Sequence, residues 1–196
     1  MTRITFLAIS IGVCLSNPVE LPASCPSQAF VALQPTKRFP DLRGDLFLNQ
    51  EDPNSPVKIT GKVTGLPPGF NGFHVHMIGN ITGDDCLSTG SHFNPFGEEH
   101  GGPDDTRRHV GDLGNIQFVE EPTEEAAVAR INIEDSEISL CGERNVIGRA
   151  IVVHAGPDDL GRGRNEESQK TGNAGPRAGC GIVEETEGLL DSSEIF

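Results

Sequence analysis

Apolar and polar residues alternate along Val57-Lys58-Ile59-Thr60-Gly61-Lys62-Val63-Thr64, and this period of two predicts a half-buried β-strand. Ala129, Ile131 and Ile133 alternate with Arg130 and Asn132 in the same way. Further strands are predicted over residues 29–34, 42–48, 70–76, 115–119, 146–153 and 180–183. No window carries a helical period, and no internal repeat is visible. Eight short strands separated by Gly- and Pro-rich turns predict an all-β fold, an antiparallel sandwich or barrel. The connections over 77–113 and 155–179 are too long for turns, and loops of that length are usually functional or disordered. The first holds His92, His100 and His109, which points to order imposed by ligands.

Composition narrows the picture. With 24 Gly and 14 Pro in 196 residues the chain is rich in turns, and 35% hydrophobic residues support a modest core but no polytopic membrane protein. Met1-Thr2-Arg3 is a short positive start, residues 4–15 are apolar, and Ser16-Asn17-Pro18 follows, the layout of a secretory signal peptide. Such an apolar run covers only ~18 Å as a helix against a hydrocarbon core of ~30 Å, so a membrane span is disfavoured. The expected organisation is a removed signal peptide (1–16), an N-terminal extension (17–28), a main domain (29–183) and an acidic tail (184–196), in a secreted, extracellular protein.

Lys and Arg number 15 against 29 Asp and Glu, a formal net charge of −14, which argues against a nucleic-acid partner. The absence of Trp and Tyr removes the usual stacking platforms for bases. The tail lacks the basic cluster that would hold a secreted protein on heparin-type polysaccharide. The cysteines are Cys14, Cys25, Cys86, Cys141 and Cys180, with no C-x-x-C pair. Loss of residues 1–16 leaves an even number, which suits disulfides in an oxidising compartment.

The histidines carry the chemistry. On a strand, His74-Val75-His76 points both rings to one face. Taken alone the pair reads as a surface feature, but His92, His100, His109 and Asp112 follow in the long loop and His154 closes an apolar strand. Two four-coordinate ions need eight ligand positions, and these are seven residues; one imidazole binding through both nitrogens closes the gap. Nitrogen-rich tetragonal coordination suits Cu(II), whereas three imidazoles and a carboxylate suit tetrahedral zinc. Counting leaves open which histidine bridges.

Gly72-Phe73-His74-Val75-His76, His92-Phe93-Asn94-Pro95, His100-Gly101-Gly102-Pro103, Arg108-His109-Val110-Gly111-Asp112-Leu113-Gly114, Val152-Val153-His154, Asn165-Glu166-Glu167-Ser168 and Lys170-Thr171-Gly172-Asn173-Ala174-Gly175 stand in this order. Over residues 29–183 the chain resembles copper/zinc superoxide dismutase. The resemblance implies an eight-stranded antiparallel Greek-key β-barrel with two long functional loops. It implies one copper per subunit on His74, His76, His92 and His154, and one zinc on His92, His100, His109 and Asp112, with His92 as the bridge. Asp158 would hydrogen-bond the outer nitrogens of His74 and His100. Arg177 would bind superoxide beside the copper, and His92 would carry a proton for the second half-reaction. Glu166, Glu167 and Lys170 would shape the field at the channel mouth, and Thr171 would narrow it. The implied activity is dismutation of superoxide to dioxygen and hydrogen peroxide as an antioxidant defence outside the cell.

The resemblance also implies a Cys86–Cys180 disulfide and a homodimer. Cys25 and Cys141 have no counterpart; they form a second disulfide, within or between chains, or stay free thiols. Met77, Ile78 and Asp85 stand where the family has an acidic residue, an aromatic residue and a glycine, in a segment that normally helps form the dimer contact. Asn80-Ile81-Thr82 is an N-glycosylation sequon, and a glycan there would weaken that contact.

Overall fold

A computed structural model describes residues 25–83 and 85–186. The expected signal peptide, most of the N-terminal extension and residues 187–196 of the tail lie outside the described residues. The described residues form nine strands: β1 (Gln28–Pro35), β2 (Arg43–Asn49), β3 (Val57–Thr64), β4 (Gly69–His76), β5 (Asp112–Phe118), β6 (Val128–Asp135), β7 (Ala150–His154), β8 (Arg177–Ile182) and β9 (Glu184–Glu185). Neighbours run β5-β4-β7-β8-β1-β2-β3-β6, all antiparallel. The outer strands β5 and β6 meet through a Val119–Val128 bridge, whose paired backbone bonds of 3.0 and 2.9 Å bring the sheet close to a closed barrel. Closure removes the exposed edges that would otherwise pair with other chains.

The alternation read from the sequence sets the barrel interior. Along β3 the side chains of Val57, Ile59 and Val63 are buried, while Lys58 is exposed. Val31 and Leu33 of β1, Leu46 and Leu48 of β2 and Ile131 of β6 fill the same core. Gly61 sits on this inward row because a Cβ there would lie 2.2 Å from the Asp45 carbonyl oxygen.

Several boundaries differ from expectation, among them the strand predicted over 180–183, which starts at Arg177. The strand predicted over 146–153 starts only at Ala150, because Val146 is drawn into a loop by its N–H bond to the Ser139 carbonyl (2.9 Å). The strand predicted from 115 starts three residues earlier, at Asp112, since Asp112 pairs with His74. The acidic tail expected from 184 begins with a short strand: Glu184 and Glu185 pair with Phe30 and Ala29. Helix is confined to a single α-turn, Ser168–Thr171, and two 3-10 turns among the described residues. No helix among the described residues is long and apolar enough to cross a membrane.

Two disulfides fasten the long connections: Cys86–Cys180 ties the loop after β4 to β8, and Cys25–Cys141 ties the N-terminal end to the loop after β6. Sequence separations of 116 and 94 residues put each in the range of about 2–4 kcal/mol of stabilisation. Leu46→Ala, which empties a fully buried position, is expected to lower stability by about 2–5 kcal/mol in a urea melt while leaving the strand order unchanged.

Candidate metal centre

β4 and β7 are buried on both faces. Phe73 and Val75 of β4, and Ile151 and Val153 of β7, point into the core. Period two therefore turns His74, His76 and His154 to the opposite face, and the pairing of His74 with Val152 sets the strands side by side. The loop after β4 folds over that face, held by three backbone bonds: Val75 N–H to the Gly111 oxygen (2.9 Å), Phe93 N–H to the Val75 oxygen (2.8 Å) and Gly111 N–H to the Phe93 oxygen (2.9 Å). Only glycine fits at 111, where a Cβ would lie 2.3 Å from the Val75 oxygen. This knot places His92 beside His109 and Asp112. His100 is fixed from the second loop, its N–H donating to the Gln169 oxygen (2.9 Å).

The donor atoms converge in two buried groups. His74, His76, His92 and His154 form one and His92, His100, His109 and Asp112 the other, the donor atoms of each lying within 4.8 Å of one another. His92 belongs to both. Hydrogen bonds fix the tautomers. His76 Nδ1 lies 2.9 Å from the Gly90 oxygen and His154 Nδ1 lies 3.0 Å from the Gly175 oxygen. A carbonyl can only accept, so each Nδ1 carries the proton and each Nε2 of the neutral rings presents a lone pair. Those two Nε2 atoms face each other at 3.3 Å. Two lone pairs at that distance repel unless a cation or a proton lies between them.

Asp112 is the pivot of the second group. Its Oδ1 lies 2.8 Å from His92 Nδ1, 3.0 Å from His100 Nδ1 and 3.1 Å from His109 Nδ1. Four donors on tetrahedral zinc, bound at ~2.0–2.1 Å, sit ~3.3 Å apart, so this is close to the spacing such an ion requires. The second carboxylate oxygen is committed to the backbone, accepting from the N–H groups of His109 (2.9 Å) and Gly101 (3.1 Å). His74 Nδ1 and His92 Nε2 are buried without a hydrogen-bond partner, and His100 Nδ1 has only the Asp112 carboxylate beside it, off the line of a hydrogen bond. Orphaned buried nitrogens are costly, and all three point into the two groups; the residues fit a pair of metal ions.

Asp158 joins the groups from behind. Its Oδ2 accepts from His74 Nε2 and its Oδ1 from His100 Nε2, both at 2.8 Å, leaving each Nδ1 for coordination. Asn115 of β5, not anticipated from the sequence, fixes Asp158 with a matched pair of 2.8 Å bonds: its Nδ2 donates to the Asp158 oxygen and its Oδ1 accepts the Asp158 N–H. Arg108 was also missed. Buried beside its neighbour His109, it donates to the Asp112 carbonyl (2.7 Å) and pairs with Asp135 (2.5 Å). A signal existed: Asp135 continues the inward row of Ile131 and Ile133, where a carboxylate needs a partner.

The first group opens to solvent through a cleft of about 460 Å³ that includes His76, His92, His154, Glu167, Thr171 and Arg177. Arg177 faces His154 across β7 and β8. Its Nη1 donates to the Cys86 oxygen (2.6 Å) and to Thr89 Oγ1 (3.1 Å), and its Nη2 to the Gly90 oxygen (2.5 Å). Nε–H and one Nη2–H remain uncommitted. Thr171 Oγ1 donates to Glu167 Oε1 (2.7 Å) within the cleft wall, whereas Glu166 and Lys170 lie outside it, exposed and paired with each other (2.5 Å). Asn80 is exposed on the loop after β4.

Burial holds His74 and His76 well below the ordinary histidine range and lowers His154 to about 3, against the Gly175 hydrogen bond. His92 is lowered by burial, with Asp112 opposing. At His100 burial also acts downward, but the contacts with Asp112 and Asp158 prevail and push it up to about 9. Asp112 shows the reverse balance: burial raises it, yet His100, His109 and His92 hold it far below the carboxylate range. The first group is thus a set of neutral rings. In the second group a proton on His100 competes with a cation.

A model of the family described as copper/zinc superoxide dismutase (SODC) matches residues 42–183. A solved structure of the clock protein EA4 is 44% identical, covers 86% of this chain and 100% of its own, and superposes with a TM-score of 0.74. The Greek-key barrel and the ligand groups described above are consistent with that family, whose members usually bind copper and zinc.

Asp158→Asn would set an amide N–H against one imidazole N–H, and metal affinity is expected to fall 10–100-fold in chelator competition. The metal-stripped protein is expected to lose stability as pH falls from 6.5 towards 3, because rings such as His154 take up protons only when unfolded. His100 contributes with the opposite sign: its stabilisation is complete below 6.5 and lost as pH rises through about 9. Urea melts across this range, with and without His100→Asn, check both signs.

Proposed function

Because the chain belongs to the copper/zinc superoxide dismutase family, we propose that it disproportionates superoxide to dioxygen and hydrogen peroxide. Copper is assigned to His74, His76, His92 and His154, and zinc to His92, His100, His109 and Asp112, one of each per subunit. Copper, when bound, supplies one-electron chemistry between two oxidation states; zinc has none and organises its ligands.

The protein's own part is to bind, orient and protonate. Arg177 stands at the cleft with two free N–H donors, a planar cation suited to a small anion. A chain of net charge −14 would repel superoxide overall, but the field inside a cleft is set by nearby fixed charges, and Arg177 is the cation in the wall. Burial lowers its pKa, with Asp85 opposing, yet a guanidinium stays charged at neutral pH. Glu167 is restrained by the Thr171 hydroxyl, and Thr171 limits the width of the opening. His92 Nε2 is the ring nitrogen placed to hold a proton for the reduced product, while its Nδ1 stays committed to Asp112.

The observation that carries this reading is the convergence of seven donor side chains in two buried groups sharing His92, with an arginine at the open side. The main domain, 29–183, holds all of them. The protein is read as secreted and extracellular, supported by the apolar segment 4–15 and by two disulfides, which persist in oxidising compartments. The protein is read as a homodimer, with no nucleic acid, membrane or polysaccharide partner. A second reading, a metal-holding module without turnover, draws on the 44% identical structure being that of a protein named for timekeeping. The intact donor set and Arg177 favour catalysis.

Superoxide consumption by metal-loaded protein decides between them: His74→Ala is expected to abolish it, and equal activity in the variant would refute the assignment. Arg177→Ala should lower kcat/KM roughly 10–100-fold, the worth of a charge-assisted hydrogen bond. Its residual rate should fall less steeply with added salt than the parent's.

A further inference from the structure

His92 belongs to both donor groups, yet it stands on none of the nine strands. Its backbone pairs with His76 as an isolated bridge, held by the Met77 N–H on the Ser91 oxygen (2.9 Å) and the Phe93 N–H on the Val75 oxygen (2.8 Å). A bridge of one residue pair has no ladder extending it. The placement of the His92 ring therefore depends on what packs against the residues on either side, and these are Met77, across from Ser91, and Phe93.

Arg149 reaches both. It immediately precedes β7, and its own backbone is fixed: its N–H donates to the Val146 oxygen (3.0 Å), and its oxygen accepts from the Val183 N–H (2.8 Å). From this base the guanidinium carbon lies over the Phe93 ring, 3.6 Å from its centroid. Nη1 donates to the Met77 oxygen and Nε to the Asn145 oxygen, both at 2.8 Å. The Phe93 ring is buried in the core cluster, so it is held between the core and the guanidinium. The partners of the guanidinium are two carbonyls and a ring. A flat cation serves all three at once, with its face on the ring and its N–H groups donating in plane; a lysine ammonium has no such plane.

We propose that Arg149 is a positioning residue for His92: over Phe93 and on the Met77 carbonyl, it clamps the 91–93 segment and sets where the shared ring aims Nε2. This rests on the reading of the two donor groups as a copper site and a zinc site. The two nitrogens of the ring do not depend on the clamp equally. Nδ1 faces the Asp112 carboxylate at 2.8 Å, and Asp112 is tied in turn to the backbone of His109 and Gly101. Nε2 has no hydrogen-bond partner among the described residues. When the clamp is lost the ring pivots about its Nδ1 end, and the displacement falls on Nε2. Arg149 thus acts on the group that His92 forms with His74, His76 and His154, and leaves the group around Asp112 nearly as it was.

The test titrates zinc-loaded protein with Cu(II) against a chelator, measures zinc affinity in the same way, and records the electron paramagnetic resonance spectrum of bound Cu(II). Urea melts of the metal-stripped chains run beside it. Arg149→Lys keeps the charge and loses the plane; Phe93→Leu stays apolar and loses the ring. Each is expected to lower copper affinity roughly 10–100-fold and to change the Cu(II) hyperfine splitting, with zinc affinity held within about twofold. The double variant should fall no further than the weaker single variant, because both changes break one contact. Unchanged copper affinity and spectrum in Arg149→Lys would overturn the proposal, and so would additive losses in the double variant. Equal losses of copper and zinc affinity with an earlier urea midpoint would overturn it too, since that is general loosening. A parent that shows the expected shifts but consumes no superoxide would refute the activity and bear out the role of Arg149. A parent that takes up no copper would overturn both.

Discussion

The controlling constraint is the meeting of lone pairs in a dry space. His76 and His154 have their outer nitrogens tied to carbonyls, His74 and His100 to Asp158, and each is left with an acceptor aimed at another acceptor. Buried acceptors facing acceptors are unfavourable in a protein interior unless something positive sits between them. The protein has therefore placed the cost of assembling the site in the folded chain, to be offset by cation binding. His100 shows the competition most plainly, because in the absence of a cation the proton is the only positive charge available to it.

The barrel makes that constraint affordable by being rigid where the loops are not regular. β4 and β7 give three histidines a fixed face because their alternate residues are locked in the core. The two long loops contribute the remaining donors, and each is fastened to the barrel by backbone bonds, by the Asn115–Asp158 pair or by Cys86–Cys180. The Arg108–Asp135 pair does the same for the Asp112 end, joining the loop that carries His92, His100 and His109 to β6 through a buried charge pair. Breaking one member of such a pair leaves the other charge buried, so the pair couples barrel stability to ligand geometry.

Charge is divided by position as well as by sum. A net charge of −14 describes the outer surface, while the open side of the first group presents Arg177, bound on three sides to the carbonyls and hydroxyl of the loop it faces. The same loop backbone that accepts from Arg177 at Gly90 also accepts from His76. The placement of Arg177 at the cleft and the tautomer of His76 are thus set by one short stretch, and the Cys86–Cys180 bridge anchors its beginning.

The sequence alone determined the strands, through alternation that burial must respect, and singled out the seven side chains that the fold brings into two groups. Residues 57–64 and the His74-Val75-His76 pair needed nothing more than a period of two. It did not reveal that Glu184 and Glu185 extend the sheet, since a pair of acidic residues has no strand signature apart from the partner it meets at Phe30. Nor did it reveal Asn115, Arg108 or Gly111, whose roles lie in hydrogen bonds and close approaches between segments far apart in the chain. Tertiary structure decided which nitrogen of each ring is free, because a tautomer is chosen by the group across from it, and that group is brought there only by the fold.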